Sequence, residues 1–209
     1  MTPSDNHQNR GRGGGRRGGQ GPRRGRPPSG EERLSRFLAF VLRHHPEEIG
    51  LELDERGACD LEALLEGLRR RPGFERVGRE QIEHLAASGP GAVRFAIEEG
   101  RIRARYGHSL AQPIRYEAAE PPALLFHGTT PETAEQVLAE GLTAGQRQRV
   151  HLSADTPAAR EVGRRRCPQP IVLQVDTECA AKAGVRFYLG GPAVWLADDI
   201  PPECITRAE

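Results

Sequence analysis

The sequence predicts an α+β protein of two lobes behind an N-terminal arm, and three observations predict it. Residues 31–111 repeat Leu and Val at helical spacing and then alternate like a strand pair. Residues 112–122 hold Pro113, Pro121 and Pro122 without apolar periodicity, which suits a linker. Residues 123–209 alternate short strand-like runs with short helix-like ones. A chain of 209 residues is long enough to bury two cores.

The arm comes first. Residues 1–30 hold seven Arg against the one acid Asp5, so this segment carries +6 and the remainder −5 behind a formal total of +1. Almost no apolar side chain is present to offset the entropy of ordering, and disorder is expected there. An Arg/Gly composition suits either an electrostatic hold on nucleic-acid phosphates or a solubilising tail.

Order is expected from Ser29-Gly30-Glu31-Glu32, a capping-box pattern, after which Leu34, Phe37, Leu38, Val41 and Leu42 mark a helix to about His45 that Pro46 stops. The stretch from Ile49 to Asp60 reads as a short strand, a turn at Asp54-Glu55-Arg56-Gly57, and Asp60 as cap of a helix burying Leu61, Leu64, Leu65 and Leu68. A helix near Arg79–Ala87 and two strands joined at Glu98-Glu99-Gly100 complete a pattern of helices and hairpin that predicts a winged-helix lobe. Beyond the linker the pattern predicts a strand at Leu124–His127, a helix from Pro131 to Glu140 closed by Gly141, a strand at Val150–Ser153 and a helix at Asp155–Arg166. Strands near Ile171–Asp176, Val185–Leu189 and Val194–Leu196 follow, too short and irregularly connected for a doubly wound parallel sheet.

Cys59, Cys167, Cys179 and Cys204 have no C-x-x-C spacing and no apolar leader precedes them, so they read as reduced thiols of a cytoplasmic protein. No apolar run approaches the roughly 18 residues of a membrane span, and no membrane partner is expected. Nor does the chain contain a G-x-G-x-x-G helix start, a G-x-x-x-x-G-K-[ST] loop, an H-E-x-x-H helix or paired C-x-x-C, which disfavours Rossmann hydride transfer, P-loop hydrolysis and zinc hydrolysis.

Three constellations could carry chemistry. In Leu42-Arg43-His44-His45-Pro46, His45 falls on the stripe of Leu38 and Val41 and reads as structural, whereas Arg43 and His44 point elsewhere. The hairpin offers Arg94, alternating with Val93 and Phe95 and so facing away from the apolar side, and Gly107-His108-Ser109 at its end. Phe126-His127-Gly128-Thr129 at a strand end, with Val150-His151-Leu152-Ser153 one helix later, offers rings, hydroxyls and an unhindered backbone suited to a ribose and a flat amide-bearing ring.

In order, the blocks "LSRFLAFVLRHHPEEIGLELDERG", "RFAIEEGRIRARYGHS", "LLFHGTT", "VHLSAD" and "VWLADDIPPECI" resemble the RNA 2′-phosphotransferase family, the KptA-like enzymes, over roughly Leu34 to Ile205. That resemblance implies an RNA-holding winged-helix lobe over 31–111, a linker over 112–122, and an NAD-binding lobe of the ADP-ribosyltransferase fold over 123–209. It implies catalytic roles for Arg43, His44, Arg94 and Arg147, with Arg149 a rival for the last place, and NAD contacts from His108, Ser109, His127, Gly128, Thr129, His151 and Ser153. The implied reaction takes a 2′-phosphate from RNA to NAD without a metal. Two alternatives stand beside it: an ADP-ribosyltransferase that stops after capping a terminal phosphate of RNA or DNA, and a non-catalytic RNA-binding module, in which the His127-Gly128-Thr129 and His151-Leu152-Ser153 blocks would have no purpose.

Overall fold

The first helix starts where its capping box closes. Ser29 Oγ accepts the Glu32 N–H while the Glu32 carboxylate accepts the Ser29 N–H, each at 3.1 Å. The computed structural model describes residues 29–88 and 93–208, so the readings of the arm and of residues 89–92 lie outside the described residues.

From that cap α1 (Gly30–Arg43) buries Leu34, Leu38, Val41 and Leu42. A 3-10 turn (Pro46–Ile49) follows, then β1 (Ala58–Asp60), α2 (Leu61–Arg69), α3 (Arg79–Ala87) and the hairpin β2 (Phe95–Glu98) and β3 (Arg101–Ala104). Asp60 caps α2 by accepting the N–H groups of Glu62 and Ala63. The strand expected before the 54–57 turn forms no sheet; it lies after the turn, where β1 pairs with β3. The reason is register: only past Gly57, at φ +73°, does the chain run beside β3. Together the three strands make an antiparallel sheet in the order β1-β3-β2, packed with the helices around one core that includes Phe95 and Ile102.

The second core belongs to β4 (Leu124–Thr129), α4 (Pro131–Glu140), β5 (Val150–Ser153), α5 (Thr156–Arg164), β6 (Ile171–Asp176), α6 (Thr177–Lys182), β7 (Phe187–Gly191), β8 (Val194–Ala197) and β9 (Ile205–Arg207). Its six strands run β7-β8-β5-β4-β6-β9, and every pairing among the described residues is antiparallel. The molecule is thus a mixed α+β protein of two lobes. The short helix α6 and the three-residue β9 carry too little periodicity to have been expected from sequence.

Two expectations are corrected. Cys179 and Cys204 are joined in a disulfide and are not free thiols; the pairing of edge strand β9 with β6 brings Cys204, just before β9, beside Cys179, just after β6, at a Cα separation of 5.5 Å. Cys59 and Cys167 are free. His45, expected on the apolar stripe of a helix running to about that residue and read as structural, is exposed with its ring against Phe40 and its Nδ1 2.9 Å from Glu47, because the helix ends at Arg43 and the stripe does not extend to it.

The segment expected as a linker is tied to both lobes. Arg115 N–H donates to Glu55 O, Ile114 N–H to the Gln148 side chain, and Ala118 pairs with Tyr188 of β7.

Candidate active site

β4 and β5 are in register at one position only, Phe126 with Ser153, and the ladder does not continue past it. A side chain bridges the gap: His127 Nδ1 lies 3.0 Å from the His151 carbonyl, and His151 Nδ1 lies 3.0 Å from the Arg149 carbonyl. Because a carbonyl only accepts, both rings carry their proton on Nδ1 and present Nε2 as an acceptor. Burial keeps both neutral, lowering His127 from its ordinary value and His151 to about 3. His151 Nε2 is buried with no hydrogen-bond partner among the described residues.

Against this seam the N-terminal lobe sets the end of α1. Arg43 lies with its guanidinium 4.9 Å from the Tyr106 ring centroid, and a Cβ on Gly107 would meet Arg43 side-chain atoms at 3.4 Å. That distance is an ordinary contact; the requirement for glycine is the backbone's, since Gly107 sits at φ +91°. Arg43 Nε and Nη2 are buried without partners. Burial first, then the like charges of Arg94 and Arg147, pull its pKa below the usual guanidinium range. The Arg94 side chain reaches Ser35 Oγ at 3.4 Å. Arg147 enters from the loop after α4, which is braced where Leu142 and Ile200 exchange backbone bonds and Ala144 N–H donates to Asp199.

His44 ends α1. Its N–H still donates to Phe40 O at 3.0 Å, and its ring Nδ1 lies 2.7 Å from Ser109 Oγ. Burial, followed by Arg43, His45 and Arg147, lowers its pKa, so the ring is neutral near pH 7.

Two cavities share these groups. One of about 550 Å³ is lined by Arg43, Arg94, Gly128 and Ser153; another of about 640 Å³ by Ser109, Thr129, Arg149 and Arg166. His44, His127, Arg147 and His151 line both, so the cavities meet there. The first contains five Arg and no carboxylate among its described lining residues. Of these only Arg43 has side-chain nitrogens buried without a partner, and a cation so placed is costly unless an anion meets it.

The expected residues thus gather, with two exceptions of role. His108 lines neither cavity: it is 1 % exposed, its Nδ1 lies 2.7 Å from Tyr116 Oη, and only its carbonyl serves the site, by accepting Gln148 N–H beside Arg147. His108 was expected to touch NAD; after Gly107 the chain turns its side chain inward. Gly128 lines the first cavity, yet its necessity is packing, since a Cβ there would lie 1.8 Å from the Ala159 carbonyl oxygen of α5. Sequence reasoning missed Tyr106, Arg36, Arg165 and Arg166. Tyr106 adjoins the Gly107-His108-Ser109 motif and was findable; Arg165 and Arg166 lie in an Arg run of a chain whose only lysine is Lys182, where one Arg stands out little.

Guanidiniums and neutral imidazoles thus gather in the cleft of this two-lobed α+β protein, an arrangement chemically suited to a phosphate group. Comparison with known proteins makes this specific. A family model described as "RNA 2'-phosphotransferase, Tpt1 / KptA family" matches residues 29–199, and the chain belongs to that family. A protein of Acetivibrio thermocellus named "Probable RNA 2'-phosphotransferase" is 41% identical over 173 residues, covering 83% of this chain and 94% of its own. Proteins of the same name from Streptomyces griseus and Pyrobaculum aerophilum are 40% and 38% identical, covering 81% and 84% of this chain and 93% and 80% of their own.

Proposed function

We propose that this protein is an NAD-dependent RNA 2′-phosphotransferase. The observation that carries the reading is the meeting of two cavities at His44, His127, Arg147 and His151, with unpaired guanidiniums on one side. A phosphate that must bond to a ribose carbon has to meet it where the two cavities join.

Arg43, Arg94 and Arg147 hold the RNA 2′-phosphate, since guanidinium forks suit phosphate oxygens and keep their charge. NAD lies along the second cavity as co-substrate, its nicotinamide ribose at the junction. There the Nε2 acceptors of His127 and His151 face its hydroxyls, with Thr129 and Ser153 adjacent. A phosphate oxygen bonds to the anomeric carbon as the bond to nicotinamide breaks, leaving ADP-ribosylated RNA. The ribose 2″-hydroxyl then bonds to phosphorus as the bond to the RNA 2′-oxygen breaks. Neutral His44 takes the proton from the 2″-hydroxyl and returns it to the departing oxygen. The products are 2′-hydroxyl RNA, nicotinamide and ADP-ribose 1″,2″-cyclic phosphate. Guanidiniums meet the charge developing on the phosphoryl oxygens, so the scheme calls on no metal.

On this reading residues 31–111 form a winged-helix lobe that holds RNA, residues 123–209 an ADP-ribosyltransferase-like lobe that holds NAD, and residues 112–122 the linker between them. The test is incubation with NAD and an RNA bearing one internal 2′-phosphate, in chelator. Cyclic phosphate and nicotinamide should appear in equal amounts with 2′-hydroxyl RNA. An RNA that retains its phosphate, or one that only gains ADP-ribose at a terminal phosphate, overturns the proposal, and the second result would support the capping activity.

A further inference from the structure

The pattern of blocks expects Ser109 to touch NAD, but the geometry gives its hydroxyl a protein partner. Ser109 Oγ lies 2.7 Å from His44 Nδ1 and is the only side-chain partner of that ring among the described residues. The Ser109 N–H donates at 3.0 Å to the Arg43 carbonyl, one of the acceptors that the end of α1 leaves open. The strap that carries Ser109 is fixed from the other lobe: Gln148 donates to the carbonyls of Leu110 and Gln112 at 2.8 and 2.9 Å and accepts the Ile114 N–H at 2.8 Å. Its own N–H donates to the His108 carbonyl at 3.1 Å. Ser109 is therefore held between His44 and the residue that follows Arg147.

We propose that Ser109 is a positioning residue for His44, fixing the ring so that Nε2 faces the junction of the two cavities. This rests on the phosphotransfer reading above. A hydroxyl has the chemistry the role needs, because it donates to a bare Nδ1 and accepts from a protonated one. It can hold the ring in one orientation while Nε2 gains and then gives up a proton. A carboxylate in its place would favour the imidazolium and bias the ring to one state. Arg43 and Arg147 are charged neighbours of His44 and disfavour that state, so an uncharged partner is the consistent one.

The test measures steady-state kinetics of wild type, S109A and S109T on an RNA with one internal 2′-phosphate, with NAD varied, and adds the pair H44A and S109A/H44A. S109A should lower kcat more than about tenfold, a part of the roughly 10²–10⁴ that a positioned acid–base group supplies. KM for NAD should stay within about twofold, and S109T should recover most of the loss. Adding S109A to H44A should cost nothing further, since Ser109 acts through the ring that is gone. A raised KM for NAD at unchanged kcat would restore Ser109 to an NAD contact and overturn the proposal. Losses that multiply in the double variant would overturn it too. A wild-type protein that leaves the 2′-phosphate in place would instead defeat the functional reading beneath it.

Discussion

Arg147 and Arg149 stand two positions apart on one loop, and their surroundings divide them. Arg149 lies 3.5 Å from Asp198, has its guanidinium 5.1 Å from the Tyr188 ring centroid, and gives Nη1 to the Gln148 carbonyl. Arg147 has no carboxylate partner among the described residues and lines both cavities. Arg147→Ala should therefore lower kcat by about 10²–10³, the usual cost of one donor to a charged transition state, with the melting temperature little changed. Arg149→Ala should lower stability by about 0.5–1 kcal/mol for an ion pair and a cation–π contact, with kcat within a few-fold. Thermal melts alongside single-turnover rates decide it, and the reverse pattern would exchange the two roles. The family resemblance already favoured Arg147, but it carried no information about Asp198, which lies 49 positions beyond Arg149 and meets it only through the pairing of β5 with β8. Arg43 and His44 could be singled out because a helix turns about 100° per residue, which takes both off the stripe of Leu38 and Val41, and because the family resemblance places an Arg-His pair there. Ser109 was legible as a site residue and not as a partner of His44, for contacts across 65 positions leave no periodic trace.

At the level of elements, strong local signals proved sufficient. Capping residues and glycines put α4 at Pro131–Glu140, β5 at Val150–Ser153 and β6 at Ile171–Asp176, within the expected bounds. What no local signal could give was the break between β4 and β5, since strand pairing depends on partners distant in sequence, and the break is what opens the seam for His127 and His151. The β2–β3 turn shows a local conflict. Its two residues, Glu99 and Gly100, have φ of +51° and +76°, the pattern of a tight hairpin turn in which both residues are left-handed. Gly100 suits that conformation; Glu99 has a Cβ that does not. Glu99→Asn should therefore stabilise the protein by roughly 0.5–1 kcal/mol, part of the 1–2 kcal/mol that an ordinary side chain costs there, read as a rise in urea midpoint at unchanged slope. A fall in the midpoint would mean that the exposed Glu99 side chain has a stabilising contact outweighing its backbone strain.

Across the whole molecule, the two cores were legible from apolar periodicity, and the way they are joined was not. Pro-rich sequence between them read as a linker, yet Ile114 is buried and the segment is hydrogen-bonded to both lobes. The Cys179–Cys204 disulfide was likewise invisible, because proximity came from β9 pairing with β6 and not from spacing. The join gathers buried neutral imidazoles. Burial lowers His108 to about 4 and His151 to about 3, with Arg43 and Arg147 respectively the next contributors. An unfolded histidine titrates near 6.5. As pH falls below that value the unfolded chain binds protons that the folded chain refuses, so stability is full above about pH 6.5. It then falls, each ring contributing a slope of about 1.4 kcal/mol per pH unit, until His108 titrates in the folded state near 4 and His151 near 3. Asp54, whose pKa is lowered in the folded state by its backbone N–H donors and Arg101 against the opposing effect of burial, adds a loss of the same sign in the acid range. Urea unfolding from pH 7.5 to 4.5 should show this decline, and His108→Gln should reduce its slope below about pH 6.5. His108→Gln keeps a polar group within reach of Tyr116 while removing the titration, so a slope identical to wild type would mean that His108 is protonated in the folded protein and that the seam tolerates a charge there.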